Sequence, residues 1–287
     1  MAAVTSAVRL LLNGTGRVAP VLAGRQALLL FRYPLQRARI HTHEQDTHRR
    51  AVTETMTVNG KPVVAYRWGN GDRPVLLLHG WQSRASRFSE FIGALQAEGL
   101  SPIGFDAPGN GDSGGRTTTI FEYEEIIGEL QSRYGVFESV IAHSFGALCS
   151  FYALRNGLKT KSFVAIAGPG DFDILVDRFC EQLGLDARVH ASLRRALERS
   201  LFPDVTDMWT RFDAKRFVSE ISTPILIIHD RQDPTVPFRQ AELLKAAYGP
   251  QVDLIATTGL GHRLLAAPAV VDQALSFVAE PEQRRTA

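Results

Sequence analysis

Apolar and polar positions fall into a regular order from residue 52 onward. Residues 52–58 and 63–68 flank Asn59-Gly60, a dipeptide that supplies the positive-φ positions of a tight turn, so the pair predicts a β-hairpin. Residues 74–78 form a short apolar run bounded by Pro74 and read as a strand. Residues 87–98 carry helical spacing that ends at Gly99, and 101–106 are again strand-like. An amphipathic helix is predicted over 120–134, with Gly135 behind it. Strand, helix and strand follow over 136–142, 146–156 and 162–167. The alternation lapses over 169–220, where Phe172, Phe179, Leu193 and Trp209 recur at helical spacing among many charges. It resumes with strand 225–229, helix 238–248, strand 252–256 and helix 267–278.

Strands that alternate with helices predict an α/β fold with a mostly parallel central sheet covered by helices on both faces. The expected organisation is a core made from 52–168 and 221–280, a helical insertion over 169–220, a basic leader over 1–51 and a tail over 281–287. No internal repeat or low-complexity tract interrupts it.

Composition narrows the class. A chain of 287 residues that is 45% apolar and 22% charged has the make-up of a globular protein, which excludes disordered and fibrous architectures. No apolar run reaches the ~18–20 residues of a transmembrane helix. Two cysteines, Cys149 and Cys180, are too few for a disulfide framework or a structural zinc site, and they read as free thiols of a cytoplasmic protein.

Charge divides the chain. Residues 1–43 hold six arginines and no acid, so the remainder carries a net −4 within an overall +2. An acidic body argues against nucleic acid as a partner. Residues 20–33 start with proline and predict one short helix with Arg25 and Arg32 on a common face. Three readings fit the leader: a helix packed on the domain flank, a peripheral membrane contact, or an organellar transit peptide. His41, His43, Glu44, Asp46 and His48 crowd together but match no familiar ligand spacing, so they read as a solvated linker and no metal is expected.

The candidate chemistry centres on Ala142-His143-Ser144-Phe145-Gly146, at the turn between a strand and a helix. A serine there projects its hydroxyl from the sheet edge, and small neighbours let strand and helix approach. The pattern is the nucleophile elbow G-x-S-x-G, with Ala142 in place of the first glycine. Such a serine requires a base and an orienting carboxylate. Asp233 follows the strand 225–229 and His262 follows the strand 252–256 between Gly261 and Arg263, giving the order Ser144, Asp233, His262. Asp230 is the rival acid; Asp233 is preferred because it lies further from the strand and precedes Pro234-Thr235-Val236-Pro237. Two backbone amides would complete the site as oxyanion donors, those of Trp81 and Phe145. His79 is a second base candidate, though its place directly after a strand favours a loop-bracing role.

The chain resembles the α/β-hydrolases over about residues 52–280, and among them the bacterial hydrolases described as esterases or lysophospholipase-like enzymes. The resemblance rests on His79-Gly80-Trp81, the segment Asp106 to Ser113, the Ser144 pentapeptide, the segment Asp233 to Pro237 and Gly261-His262. It implies a serine–histidine–aspartate triad, no cofactor, and a cap inserted after the sixth strand, where 169–220 fall. Asn110 departs from the family, which often has histidine there. A serine at 144 implies hydrolysis of a small carboxylic ester or thioester with an apolar acyl or alcohol part, through an acyl-enzyme. C–C bond hydrolysis and amide hydrolysis use the same triad, and a non-catalytic ligand-binding module on the same fold is the alternative of a different class.

One competing motif is present. Gly109, Gly111 and Gly114 satisfy G-x-G-x-x-G. In a dinucleotide site those glycines open the helix that holds the pyrophosphate. Here the next helix is expected only near Ile120, which argues against nucleotide binding.

Overall fold

The computed structural model describes residues 2–33 and 36–279; the expected tail, 281–287, lies outside them. In chain order the elements are helices α1 (Ala2–Val18), α2 (Pro20–Arg32) and α3 (Gln45–Arg50), then strands β1 (Val52–Val58), β2 (Lys61–Arg67) and β3 (Pro74–Leu78). Helix α4 (Ser89–Ala97), strand β4 (Ser101–Asp106), helix α5 (Ile120–Tyr134), strand β5 (Ser139–His143), helix α6 (Phe145–Arg155) and strand β6 (Phe163–Ile166) continue the alternation. Helices α7 (Asp173–Leu183), α8 (Ala187–Ala196) and α9 (Met208–Arg211) precede strand β7 (Ile225–Asp230), helix α10 (Arg239–Tyr248), strand β8 (Val252–Thr257) and helix α11 (Pro268–Ala279).

The eight strands form one sheet in the order β1-β2-β4-β3-β5-β6-β7-β8. β1 and β2 pair antiparallel across the Asn59-Gly60 turn, β2 runs antiparallel to β4, and every later pair is parallel. Asn59 and Gly60 have φ of 49° and 72°, the left-handed pair such a two-residue hairpin requires. In this α/β fold the parallel strands are apolar on both sides, because helices cover both faces. Val75, Leu77, Ile141, Val164, Ile166, Leu226 and Ile228 alternate onto one face, in a core with Phe88, Phe91 and Leu95 beside α4 and Leu264, Ala274 and Phe277 beside α11. On the other face Phe151 of α6 meets Phe163 of β6 edge-on, with ring centroids 5.0 Å apart, and Tyr123 of α5 meets Phe105 of β4 at 5.3 Å. Thr119 and Glu122 close a capping box at the start of α5, and Gly135 ends that helix at φ 77°.

The chain divides into two compact units. The larger comprises Gln36–Gly170 and Ala214–Ala287 and holds the sheet. The smaller comprises Met1–Leu35 and Asp171–Asp213. Within it, α1 and α2 both pack against α8, so the first two helices and the helical insertion belong to one unit. It holds two helices where the sequence pattern suggests one. Gly24 of α2 explains the fit with α8: a Cβ there would come within 2.4 Å of the Ser192 carbonyl oxygen. Phe31 meets Phe172 and Phe179 edge-on at 6.0 and 5.3 Å in the same unit.

Residues 41–50 are not a solvated linker. They form a 3₁₀ turn and α3 within the larger unit. Glu44 is 1% exposed; its carboxylate accepts from Ser86 Oγ at 2.7 Å and pairs with Arg87. Burial pushes that carboxyl up, but the bonds from Ser86, Arg87 and the His41 amide hold it below the ordinary range. Trp68 Nε1 donates to the Thr47 carbonyl at 2.7 Å.

Candidate active site

The turn from β5 into α6 carries Ser144. Its φ of 54° and ψ of −125° place a non-glycine residue where few L side chains go, a conformation costing about 1–3 kcal/mol that a surrounding fold must impose. The surroundings do so at close range. The Ser144 amide donates to the Ile166 carbonyl at 2.9 Å, and Ser144 O accepts from the Ala147 amide at 2.9 Å. A Cβ on Gly146 would lie 2.5 Å from Leu78 O and 2.6 Å from His79 O, so only glycine lets α6 start this close to the end of β3. Ala142, fully buried within β5, takes the first small position of the motif.

The loops after β7 and β8 bring Asp233 and His262 to the same point. His262 Nδ1 lies 2.7 Å from Asp233 Oδ2, and His262 Nε2 lies 3.0 Å from Ser144 Oγ. A carboxylate can only accept, so Nδ1 carries the ring proton and Nε2 presents a lone pair to the serine hydroxyl. Asp233 Oδ1 accepts from the amides of Thr235 and Val236 at 2.8 and 2.9 Å. Burial pushes the Asp233 carboxyl up, but the hydrogen bonds from His229 and His262, with the Val236 amide, hold it well below the usual carboxylate range. Asp230, the rival acid, is turned to another task. It accepts from Thr257 Oγ1 at 2.8 Å and from the Leu260 amide at 3.0 Å, fastening the start of the loop that carries His262.

Trp81 and Phe145 also come together, with ring centroids 6.2 Å apart at nearly a right angle. A Cβ on the intervening Gly80 would lie 2.8 Å from Ser144 Cβ and 3.3 Å from Oγ, so the His79–Trp81 backbone runs directly alongside the serine. Among the described residues, neither the Trp81 nor the Phe145 amide donates to a protein acceptor. His79 does not face the serine. Its Nε2 accepts from the Ala107 amide at 2.9 Å, so Nδ1 holds the proton and donates to Gly80 O at 2.7 Å. Fully buried, the ring is held neutral by desolvation and ties the end of β3 to the end of β4.

Two histidines with no role assigned from sequence touch this constellation. His143 Nε2 lies 2.9 Å from the His262 carbonyl oxygen, and the two rings are 4.9 Å apart. Burial and the neighbouring His262 push His143 down to about 3, so it is a neutral donor. His229, fully buried at the end of β7, donates from Nε2 to Val236 O at 2.8 Å with Asp233 Oδ2 at 3.4 Å. The available signals are that His143 stands inside the serine pentapeptide and that a histidine ends an otherwise apolar strand beside Asp230.

The glycine-rich segment forms a closed loop. The Gly109 amide donates to Gly114 O at 2.7 Å and the Gly114 amide to Pro62 O at 2.7 Å, while the Asp112 amide donates to Asp106 Oδ2 at 2.8 Å. Arg37 caps it from outside, donating to the carbonyls of Gly111, Ser113 and Gly115. Asp106 accepts from Tyr66 Oη and the Ala85 amide, both at 2.8 Å, and Arg84 Nη2 stands 3.3 Å away, so this segment braces β4 and opens no helix N-terminus to a phosphate. Asn110 is buried and donates to Pro108 O at 3.2 Å. Among the described residues no cluster of His, Cys, Asp or Glu is arranged to hold a metal ion, and no helix is long and apolar enough to cross a membrane.

Comparison with solved structures finds the same fold in several hydrolases. An esterase of Pyrococcus furiosus matches with 21% identity over 88% of this chain and 96% of its own, at a TM-score of 0.64. An esterase of Exiguobacterium antarcticum matches with 18% identity over 79% and 98%, at 0.60. A thioesterase domain from the curacin biosynthetic pathway matches with 15% identity over 79% and 99%, at 0.58. No curated protein matches the chain. The model of the alpha/beta hydrolase family matches residues 75–274, a span that contains Gly80, the Ser144 turn, Asp233 and His262. With the strand order of the sheet and the turn that carries Ser144, that match establishes that the chain belongs to the alpha/beta hydrolase family.

Proposed function

We propose that the protein is a serine hydrolase that cleaves a small carboxylic ester or thioester through an acyl-enzyme on Ser144. The observation that carries this reading is the hydrogen-bonded chain from Asp233 through His262 to Ser144. His262 Nε2 takes the proton from Ser144 Oγ as the oxygen attacks the acyl carbon. Asp233 accepts from Nδ1–H throughout, holding the tautomer and stabilising the imidazolium. The amides of Trp81 and Phe145 bind the developing oxyanion. His262 then returns the proton to the leaving alcohol or thiol, and water repeats the sequence on the acyl-enzyme to free the acid and regenerate Ser144. The Trp81 and Phe145 rings, which meet edge-on and belong to the residues next to Gly80 and Ser144, favour a substrate with an apolar acyl or alcohol part.

The strained backbone at Ser144 supports catalysis over a purely ligand-binding role, since strain of this kind is retained where a side chain must be presented. The test is hydrolysis of p-nitrophenyl acetate, butyrate and octanoate by the wild type and Ser144→Ala, with intact-mass detection of a fluorophosphonate adduct. Turnover and adduct in the wild type, both lost in the alanine variant, are expected. Folded wild-type protein that gives neither adduct nor turnover would overturn the reading in favour of a binding module.

A further inference from the structure

We propose that the exposed face of α1 and α2 docks on a bilayer surface rich in anionic lipid. Eleven large hydrophobic residues stand exposed among the described residues, and eight of them fall between Val4 and Tyr33, so the exposure is concentrated on these two helices. Leu10, Leu11, Val18, Val21, Leu22 and Leu29 are each at least half exposed, and Val18 reaches 85%. These side chains are not an unfilled core face. Each helix already buries its other side: Leu12 in α1, and Ala23, Gly24, Ala27 and Leu28 in α2, which packs on α8. The exposed residues therefore form a second apolar face on a pair of helices whose first face is used.

Charge selects the occupant. No aspartate or glutamate occurs before Glu44, whereas Arg9, Arg17 and Arg25 are exposed. On α2, Arg25 stands three residues after Leu22 and four before Leu29, so its guanidinium rises from the same face as both leucines. Such a face suits the boundary between headgroups and acyl chains: leucine and valine enter, while arginine stems lie along the apolar layer and their charged ends reach the phosphates. Neither helix crosses a membrane: α1 has 17 residues and α2 has 13, and neither is apolar enough to span. A second copy of the chain is the poorer fit, because an isologous contact would set acid-free, arginine-bearing faces against each other.

The test is co-sedimentation of the full chain with phosphatidylcholine vesicles and with phosphatidylcholine–phosphatidylglycerol vesicles, at low and high salt. Binding to the anionic vesicles alone, weakened by salt, is expected. Arg17→Gln and Arg25→Gln should each weaken it about fivefold. The combined replacement of Leu11, Leu22 and Leu29 by serine should abolish it, with an unchanged circular dichroism spectrum. If the serine variant fails to fold, the two arginine variants carry the test alone. Absence of binding to either vesicle, equal binding to both, or a light-scattering dimer that the serine substitutions dissociate would overturn the proposal; the dimer would assign the face to a second copy.

Discussion

The imidazole of His143 donates from Nε2 to the backbone carbonyl of His262 at 2.9 Å, joining the residue before the serine to the residue that would be its base. Two loops from different strands are thereby set against each other by one side chain. Removing the donor leaves the His262 carbonyl without that bond, a change of about 1–3 kcal/mol when the acceptor is buried. His143→Ala should therefore lower kcat for p-nitrophenyl butyrate about 10- to 100-fold, with KM changed by less than about twofold. Fluorophosphonate labelling should slow in parallel, and His143→Gln, which keeps an N–H donor, should recover most of the rate. An alanine variant with wild-type kcat would refute the coupling.

His143 also makes stability depend on pH. Its ring titrates near 6.5 when unfolded and is pushed down to about 3 in the folded protein. Between those values the unfolded chain binds the extra proton, so stability rises with pH and is lost as pH falls below about 6.5. The low-lying Asp233 carboxyl acts in the same direction at more acid pH. Urea midpoints should show the wild type losing about 2 kcal/mol between pH 7 and pH 5 through this group, and His143→Gln should lose correspondingly less. Equal losses in both proteins would remove His143 as the cause.

Asp233→Asn should separate geometry from charge. The asparagine can still accept the Thr235 and Val236 amides, but its NH₂ can also present a donor to His262 Nδ1 and reverse the tautomer. A fall in kcat on the order of 10³–10⁴ with little change in melting temperature is expected. Asp230→Asn should behave differently, weakening the bonds to Thr257 and Leu260 and so reducing thermal stability more than the intrinsic rate.

Gly80→Ala tests how tightly the serine is approached. The added Cβ would sit 2.8 Å from Ser144 Cβ, which is fixed by backbone, so the His79–Trp81 segment must retreat. The expected result is a loss of about 1–3 kcal/mol in stability together with at least a tenfold fall in kcat/KM, read from melting and steady-state kinetics on one preparation.

Gly24→Ala probes the smaller unit alone. The clash is with the Ser192 carbonyl, part of a helix backbone that cannot rotate away, and separating α2 from α8 should cost about 1–3 kcal/mol. Hydrogen exchange should quicken in α2 and α8 while the amides of β3 and β5 keep their protection.

The elements that read clearly from sequence are those fixed by local grammar. β3 and β4 begin and end where the apolar runs do, at Pro74 and Leu78 and at Ser101 and Asp106. Ser144, Asp233 and His262 each follow a strand in a recognisable order, and the structure brings the three together. Less visible were features whose cause is distant. Asn13, Gly14 and Gly16 dilute the periodicity of α1, and the partner that stabilises α1 and α2, α8, lies far along the chain. Glu44 reads as a solvent-facing charge because Ser86 and Arg87, which bury it, are remote in sequence. Strand β5 starts at Ser139, later than the apolar run at 136 suggests, with only Phe137 bridging to Thr160 before it. The turn before α4 is 3₁₀ in character, and the Ala85 amide at its start is taken by the distant Asp106.

The smaller unit is assembled from two stretches of chain with Gln36–Gly170 between them. During synthesis the first two helices emerge before the α8 surface that receives them exists. At about 5–20 residues per second the wait is on the order of ten seconds. Through that interval Ala23, Ala27 and Leu28 lack their partner α8, and the arginines around them repel other nascent chains. The same charge that would hold the finished protein to a lipid surface thus also guards the ribosome-bound one against self-association.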